Sequence, residues 1–397
     1  LALGGPFLIN TFLNATAHLW TAQRRTWMSE TTGDYYLHDT YLAWCKNQGV
    51  PFVEGFGIDL PSLELKPWDQ FGMDGAICEL VGGDDFISTF CFEIPPGGKS
   101  TQLHHVYEEV IFVLSGHGST SVELPDGTKR TFEWGPNSLF QVPLNVKYQH
   151  FNGSGQEPAR LASNNNLRFL LNLFRNETFI FENPIPFDAR LGEDGYFTGE
   201  GELIPIKPGR HQWETNFVPD ISNFELKSWD ARGAGSSNLR WILADGTIGC
   251  HTSEMPVGTY KKGHAHTKGT NVFCVSGTGY SLFWYNDDDE YERVDWKHGV
   301  LYTPPEDMFH QHFNTASEPA RYLAVQFGST RYPLFEVKRK IWDKGVDTSL
   351  KDGGNQMEYE DQNPRIHKIW LDEIDKNGVK SQMGEIFDEE KIRKGNT

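Results

Sequence analysis

No stretch of this sequence is long and apolar enough to be expected to cross a membrane as a helix. Residues 1–20 come nearest, and Gly4, Gly5, Pro6, Asn10 and Asn14 interrupt them. Clustered cations are missing too: 36 Lys and Arg stand against 54 Asp and Glu, for a formal net charge of -18. Nucleic acids and anionic membrane surfaces both need basic patches, so neither is an expected partner. Cysteine is scarce and odd in number. Cys45, Cys78, Cys91, Cys250 and Cys274 contain no CxxC pair, which argues against a disulfide framework or a thiolate metal site. Five reduced thiols in strands are expected, with Cys274 at an inward-facing parity. Residues 1–27 precede the first methionine, and Ala15-Thr16-Ala17 among them resembles a signal-peptidase site without a basic n-region. They read as a disordered or non-native extension, which leaves the cytoplasm as the expected compartment.

What the chain has in plenty is aromatic residues, at 13%, with 40 Gly and 21 Pro, the composition of many short strands and tight turns. It also has an internal repeat at an offset of about 161 residues. Glu64-Leu65-Lys66-Pro67-Trp68-Asp69 returns as Glu225-Leu226-Lys227-Ser228-Trp229-Asp230. Tyr148-Gln149-His150-Phe151-Asn152 returns as His310-Gln311-His312-Phe313-Asn314, and Glu157-Pro158-Ala159-Arg160 as Glu318-Pro319-Ala320-Arg321. Trp134 matches Trp296. A near-constant offset over such a span implies duplication of one domain.

The two copies differ where metal chemistry is decided. The second holds Gly258, His264, His266, Thr270, Gly277, Pro305, His310, His312 and Asn314. The first holds Gly97, Leu103, His105, Glu109, Gly116, Pro143, Tyr148, His150 and Asn152. Alternate residues of a strand face one side, so His264 and His266 project together, as do His310 and His312 from a later strand. A small β-barrel can bring these strands together around one ion. Neutral imidazole suits Fe, Mn, Ni, Cu and Zn, and three ligands leave positions open for substrate. In the first copy Leu103 and Tyr148 remove two ligands at once, so His105 and Glu109 are expected to be vestigial and that barrel metal-free.

Gly258, His264, His266, Gly277, Gly299, Pro305, His310 and Asn314 fall at the places of the two cupin motifs. Thr270 replaces the motif glutamate and Asp307 a glycine. The whole chain resembles a bicupin, similar in layout to the gentisate 1,2-dioxygenase group. That resemblance implies an all-β fold of two tandem cupin (jelly-roll) barrels, with short helices and a charged tail. It also implies one divalent metal, foremost Fe(II), on His264, His266 and His310. The group holds Fe(II) with three histidines and no carboxylate, which matches Thr270. In that group the working iron sits in the N-terminal cupin, whereas here the C-terminal copy keeps the ligands, so substrate identity is not carried over.

The domain division expected is an extension over 1–27, a first cupin over 28–190, a second over 191–335 and a tail over 336–397. The tail's amphipathic stretch from Arg365 to Ile374 is expected to pack over a barrel or a subunit interface. His312, beside the metal but off it, is the candidate general base, against a structural role suggested by His150. Asn152 and Asn314 should cap turns, and Arg160 and Arg321 should form ion pairs. Lys261, Lys262 and Lys268 are the candidate cations for an acidic substrate, while His117, His251 and His298 have no partner spacing. Three functions remain open. The foremost is a non-haem Fe(II) dioxygenase cleaving a C–C bond of an aromatic, enolic or diketone substrate. The others are a redox-neutral isomerase, lyase or hydrolase, and a non-catalytic binding cupin. A small-molecule substrate and a homo-oligomer are the partners expected.

Overall fold

A computed structural model describes residues 38–83, 86–207, 209–266, 270–285, 290–332 and 347–395. The extension expected over 1–27, Lys268 and the first part of the tail lie outside the described residues. The helix Thr40–Asn47 starts where Asp39 accepts a hydrogen bond from the Leu42 amide, and the chain leaves it at Gln48 before Gly49. Strands then dominate, in two large sheets and two small ones.

The halves share a wiring diagram, as duplication requires. In the first, Ser88–Ile94 pairs with Ala159–Asn165, which pairs with Glu109–Ser115. In the second, Ile248–Met255 pairs with Ala320–Phe327, which pairs with Thr270–Ser276. Each large sheet faces a three-stranded one: Lys147–Asn152, Gly118–Glu123 and Lys129–Trp134 in one half, and Phe309–Asn314, Gly279–Trp284 and Glu292–Trp296 in the other. Matching registers extend to single residues, for His150 lies opposite Thr120 and His312 opposite Ser281. The fold is all-β, with two cupin barrels in tandem.

Repeated residues off the ligand positions have structural work. Asn314 donates to the carbonyls of Met255, Pro256 and Glu318 and accepts from the Ala316 amide, and Asn152 repeats the pattern. Arg160 pairs with Glu93 and Arg321 with Glu254, each on a neighbouring strand. At Gly279 an added Cβ would run into the Phe313 carbonyl and the Trp296 ring, so this close approach needs glycine.

The barrels also exchange strands. Gly57–Asp59 leaves the first half to pair with Val300–Tyr302 at the edge of the second large sheet. Phe217–Val218 returns the exchange by pairing with Leu139–Phe140 of the first. Between the sheets lies a shared apolar core, with Cys91, Phe112 and Leu139 from one side and Trp241, Phe273 and Leu323 from the other. His298, which shows no partner spacing in the sequence, crosses this junction, with Nδ1 2.8 Å from the Val275 carbonyl and Nε2 2.9 Å from that of Leu114.

The described tail covers the second barrel. Asn363 caps the helix Pro364–Lys376, whose Ile366, Trp370, Leu371 and Ile374 pack on Tyr260, Tyr280 and Phe313. All five cysteines are buried and free, and Cys274 joins the interior core of the second barrel. No helix among the described residues is long and apolar enough to cross a membrane.

Candidate metal centre

The second barrel gathers its histidines by strand pairing. His264 and His310 lie opposite one another and exchange backbone hydrogen bonds of 3.0 and 2.9 Å. Their rings stand 4.0 Å apart, and that of His266 lies 4.7 Å from His310. Ahead of them the chain turns at Gly258, with φ +70°, where a Cβ would strike the Lys380 carbonyl of the tail. On the other side Asp307 replaces a glycine at φ 61°, a conformation that Asp and Asn tolerate better than most residues. Its amide bonds to the His266 carbonyl at 3.2 Å, so the substitution still closes the loop.

Among the described residues, His264, His266 and His310 form a group whose ligand nitrogens lie within 4.8 Å of one another. Bonds of ~2.0–2.2 Å place two nitrogens at most about 4.4 Å apart across an ion, so small ring rotations complete the fit. The chemistry of the donors agrees. Burial, then neighbouring positive groups, hold His264 and His310 well below the usual imidazole range, so both stay neutral and keep a lone pair. The His310 Nδ1–H points at the Met308 carbonyl, 3.2 Å away, which leaves Nε2 to bind. His264 differs. Arg232 donates to its Nδ1 at 2.7 Å, and a guanidinium cannot accept, so Nε2 carries the hydrogen in this arrangement. An ion on either nitrogen of the neutral ring ends this bond, at Nε2 because the proton moves to Nδ1 and at Nδ1 because the ion takes the lone pair.

His312 lies beside this group, with its ring 5.5 Å from that of His310 and 6.5 Å from that of His264. Its Nδ1 bonds to Ser281 Oγ at 2.8 Å, and the Trp296 indole donates to the same oxygen. The first barrel repeats the device with His150, Thr120 and Trp134. Burial first, then Lys261 and Arg232, push His312 well below the ordinary imidazole range.

The first barrel fills the corresponding space with hydrogen bonds. Leu103 and Tyr148 stand opposite one another where the second has His264 and His310. The Tyr148 hydroxyl lies 2.6 Å from His105 Nε2 and donates to Glu109, whose other oxygen accepts from Ser163 at 2.6 Å. Burial alone would raise the Glu109 carboxyl, but His105, Ser163 and Tyr148 bring it down to about 2. Reconstitution with a divalent ion is therefore expected to load one ion per chain. A second stoichiometric ion, lost on Glu109→Gln, would show that the first barrel binds as well.

Of the candidate cations, Lys262 pairs with Glu358 of the tail and Lys261 is buried in the barrel. Sequence reasoning passed over Arg232 and the tail residue Gln356, which accepts from Arg232 at 2.7 Å. One signal was available for Arg232: the repeat offset aligns it with Phe71, a core residue of the first barrel. Gln356 has no counterpart in the repeat and left no signal.

Neither a family profile nor a curated protein matches the sequence. Among solved structures, the chain is similar to an oxalate decarboxylase of Bacillus subtilis with Mn(II) centres, at 14% identity and a TM-score of 0.45, over 70% of this chain and 78% of that one. It is also similar to the Lactobacillus farciminis oxalate decarboxylase formate complex, at 13% identity and a TM-score of 0.46, over 71% and 88%. At such values the fold assignment rests on the strand topology, and no activity is transferred.

Proposed function

We propose that this chain is a metal-dependent cupin enzyme whose second barrel holds one divalent ion on His264, His266 and His310. The observation that carries the reading is the convergence of these imidazoles, two of them buried, with no carboxylate in the set. Such an ion would keep its full charge and open positions, and so could hold the oxygens of a chelating substrate and, as Fe(II), activate dioxygen beside them. The finer proposal is a non-haem Fe(II) dioxygenase that cleaves a C–C bond of an aromatic, enolic or diketone substrate. The protein's share is positioning. Met308 orients His310, Arg232 stands beside His264, and the rings of Phe283 and Tyr302 flank His310 and His312. Metal analysis combined with oxygen uptake on a catechol, gentisate and β-diketone panel tests it. Iron with substrate-dependent uptake supports it. A redox-inert ion with turnover in the absence of oxygen would replace it by a Lewis-acid lyase or isomerase.

His312 is proposed as the group that takes the substrate proton. Ser281 engages Nδ1, which leaves Nε2 as the receiving atom. His312→Gln is expected to keep stoichiometric metal and lower kcat by ~10²–10⁴-fold. The repeated His150–Thr120–Trp134 unit favours a second reading, in which His312 only braces the strand pair. Intact metal with near-normal turnover in the variant would select that reading.

A further inference from the structure

The first barrel holds a buried unit in which the hydrogen bonds outnumber the protons of its neutral side chains. His105, Glu109 and Tyr148 are 4%, 4% and 2% exposed, and stand where the second barrel has His266, Thr270 and His310. His105 Nδ1 lies 2.9 Å from the Tyr107 carbonyl, which can only accept, so Nδ1 carries a hydrogen. A neutral ring would then turn the lone pair of Nε2 toward the Tyr148 oxygen, 2.6 Å away. The phenol has one hydrogen, and it goes to Glu109. Two acceptors cannot share that proton, so the short contact at Nε2 requires a second one.

Charge decides where the second proton sits. Both oxygens of Glu109 accept, one from Tyr148 and the other from Ser163, as an ionised carboxylate does. Among the described residues its ion pair is with His105, whose Nε2 lies 3.4 Å away. The other titratable groups around the unit supply no cation. Tyr107 stacks on the His105 ring at 3.5 Å, and burial raises its phenol and that of Tyr148. His104, next in the chain, is pushed down by burial and then by His105. Burial holds His150, whose ring is 5.2 Å from that of Tyr148, down at about 4. A buried carboxylate is costly without a positive partner, and His105 is the group placed to be one.

We propose that the first barrel holds one proton at the place where the second gathers three imidazoles, with His105 as imidazolium, Tyr148 as bridge and Glu109 as carboxylate. The unit makes this half of the chain sensitive to pH. A proton bound in the folded chain and shed on unfolding contributes in full below about pH 6.5, the ordinary imidazole value, and its contribution declines as pH rises above that. Neutron diffraction from deuterium-exchanged crystals of the full chain at pH 7.5 tests the assignment directly. Deuterium is expected on both ring nitrogens of His105 and on the Tyr148 hydroxyl, with none on Glu109. A bare Nε2, or deuterium on the carboxyl, would overturn the proposal. Urea denaturation reads the consequence. Between pH 7 and 8 the folded-to-unfolded ratio of the wild type is expected to fall by up to about tenfold relative to Glu109→Gln, in which the ring has no anion to hold its proton. His105→Gln is the reference if Glu109→Gln does not fold. Parallel pH profiles of wild type and variant would overturn the proposal as well.

Discussion

His266→Ala is expected to abolish stoichiometric metal binding and, with it, turnover. Removing an outer partner of a ligand costs metal sites about 10–100-fold in affinity, and removing one of three ligands costs more. Folding should survive. His266 is only half-buried, and the apolar clusters that hold the barrel do not include it. Metal analysis after dialysis, circular dichroism and a melting curve read the two effects separately. A variant that keeps its ion at wild-type affinity would show that the ligand set lies elsewhere; one that fails to fold would be replaced by His266→Gln.

Trp370→Ala is the second variant expected to have a large effect, on stability rather than chemistry. The ring is fully buried against Tyr260, its centroid 4.9 Å away, and its indole donates to the Asn314 carbonyl at 2.9 Å. Truncation of such a side chain costs about 3–5 kcal/mol. It also leaves a carbonyl of the closing strand Phe309–Asn314 without its donor. A lower urea midpoint at unchanged m-value checks this, and a wild-type midpoint would mean that the tail is undocked in solution. The tail also carries Gln356, which bonds to Arg232 and so to His264. Metal affinity is expected to fall with the docking of this segment.

The pattern of strands, the pairing of His264 with His310 and the loss of ligands at Leu103 and Tyr148 were all legible in the sequence. Local spacing and parity decide them, and the repeat doubles every signal. The turns at Asn152 and Asn314 and the ion pairs of Arg160 and Arg321 were legible for the same reason. What stayed hidden depends on segments that meet only in three dimensions. Arg232, Gln356 and Asp347 reach the second barrel from a loop and a tail that no periodicity connects. His298 looked isolated because its partners are carbonyls, which any residue supplies. The exchange of Gly57–Asp59 and Phe217–Val218 is equally silent, because short edge strands carry little pattern.

That exchange bears on how the molecule can change over generations. A duplicated module that has lost its ligands is ordinarily free to be deleted. Here deletion of the first would strip the edge strand Gly57–Asp59 from the large sheet of the second barrel, opposite the strand that carries His310 and His312, and expose the face built on Trp241, Phe273 and Leu323. The first copy thereby serves as scaffolding for the second, apart from any ion of its own.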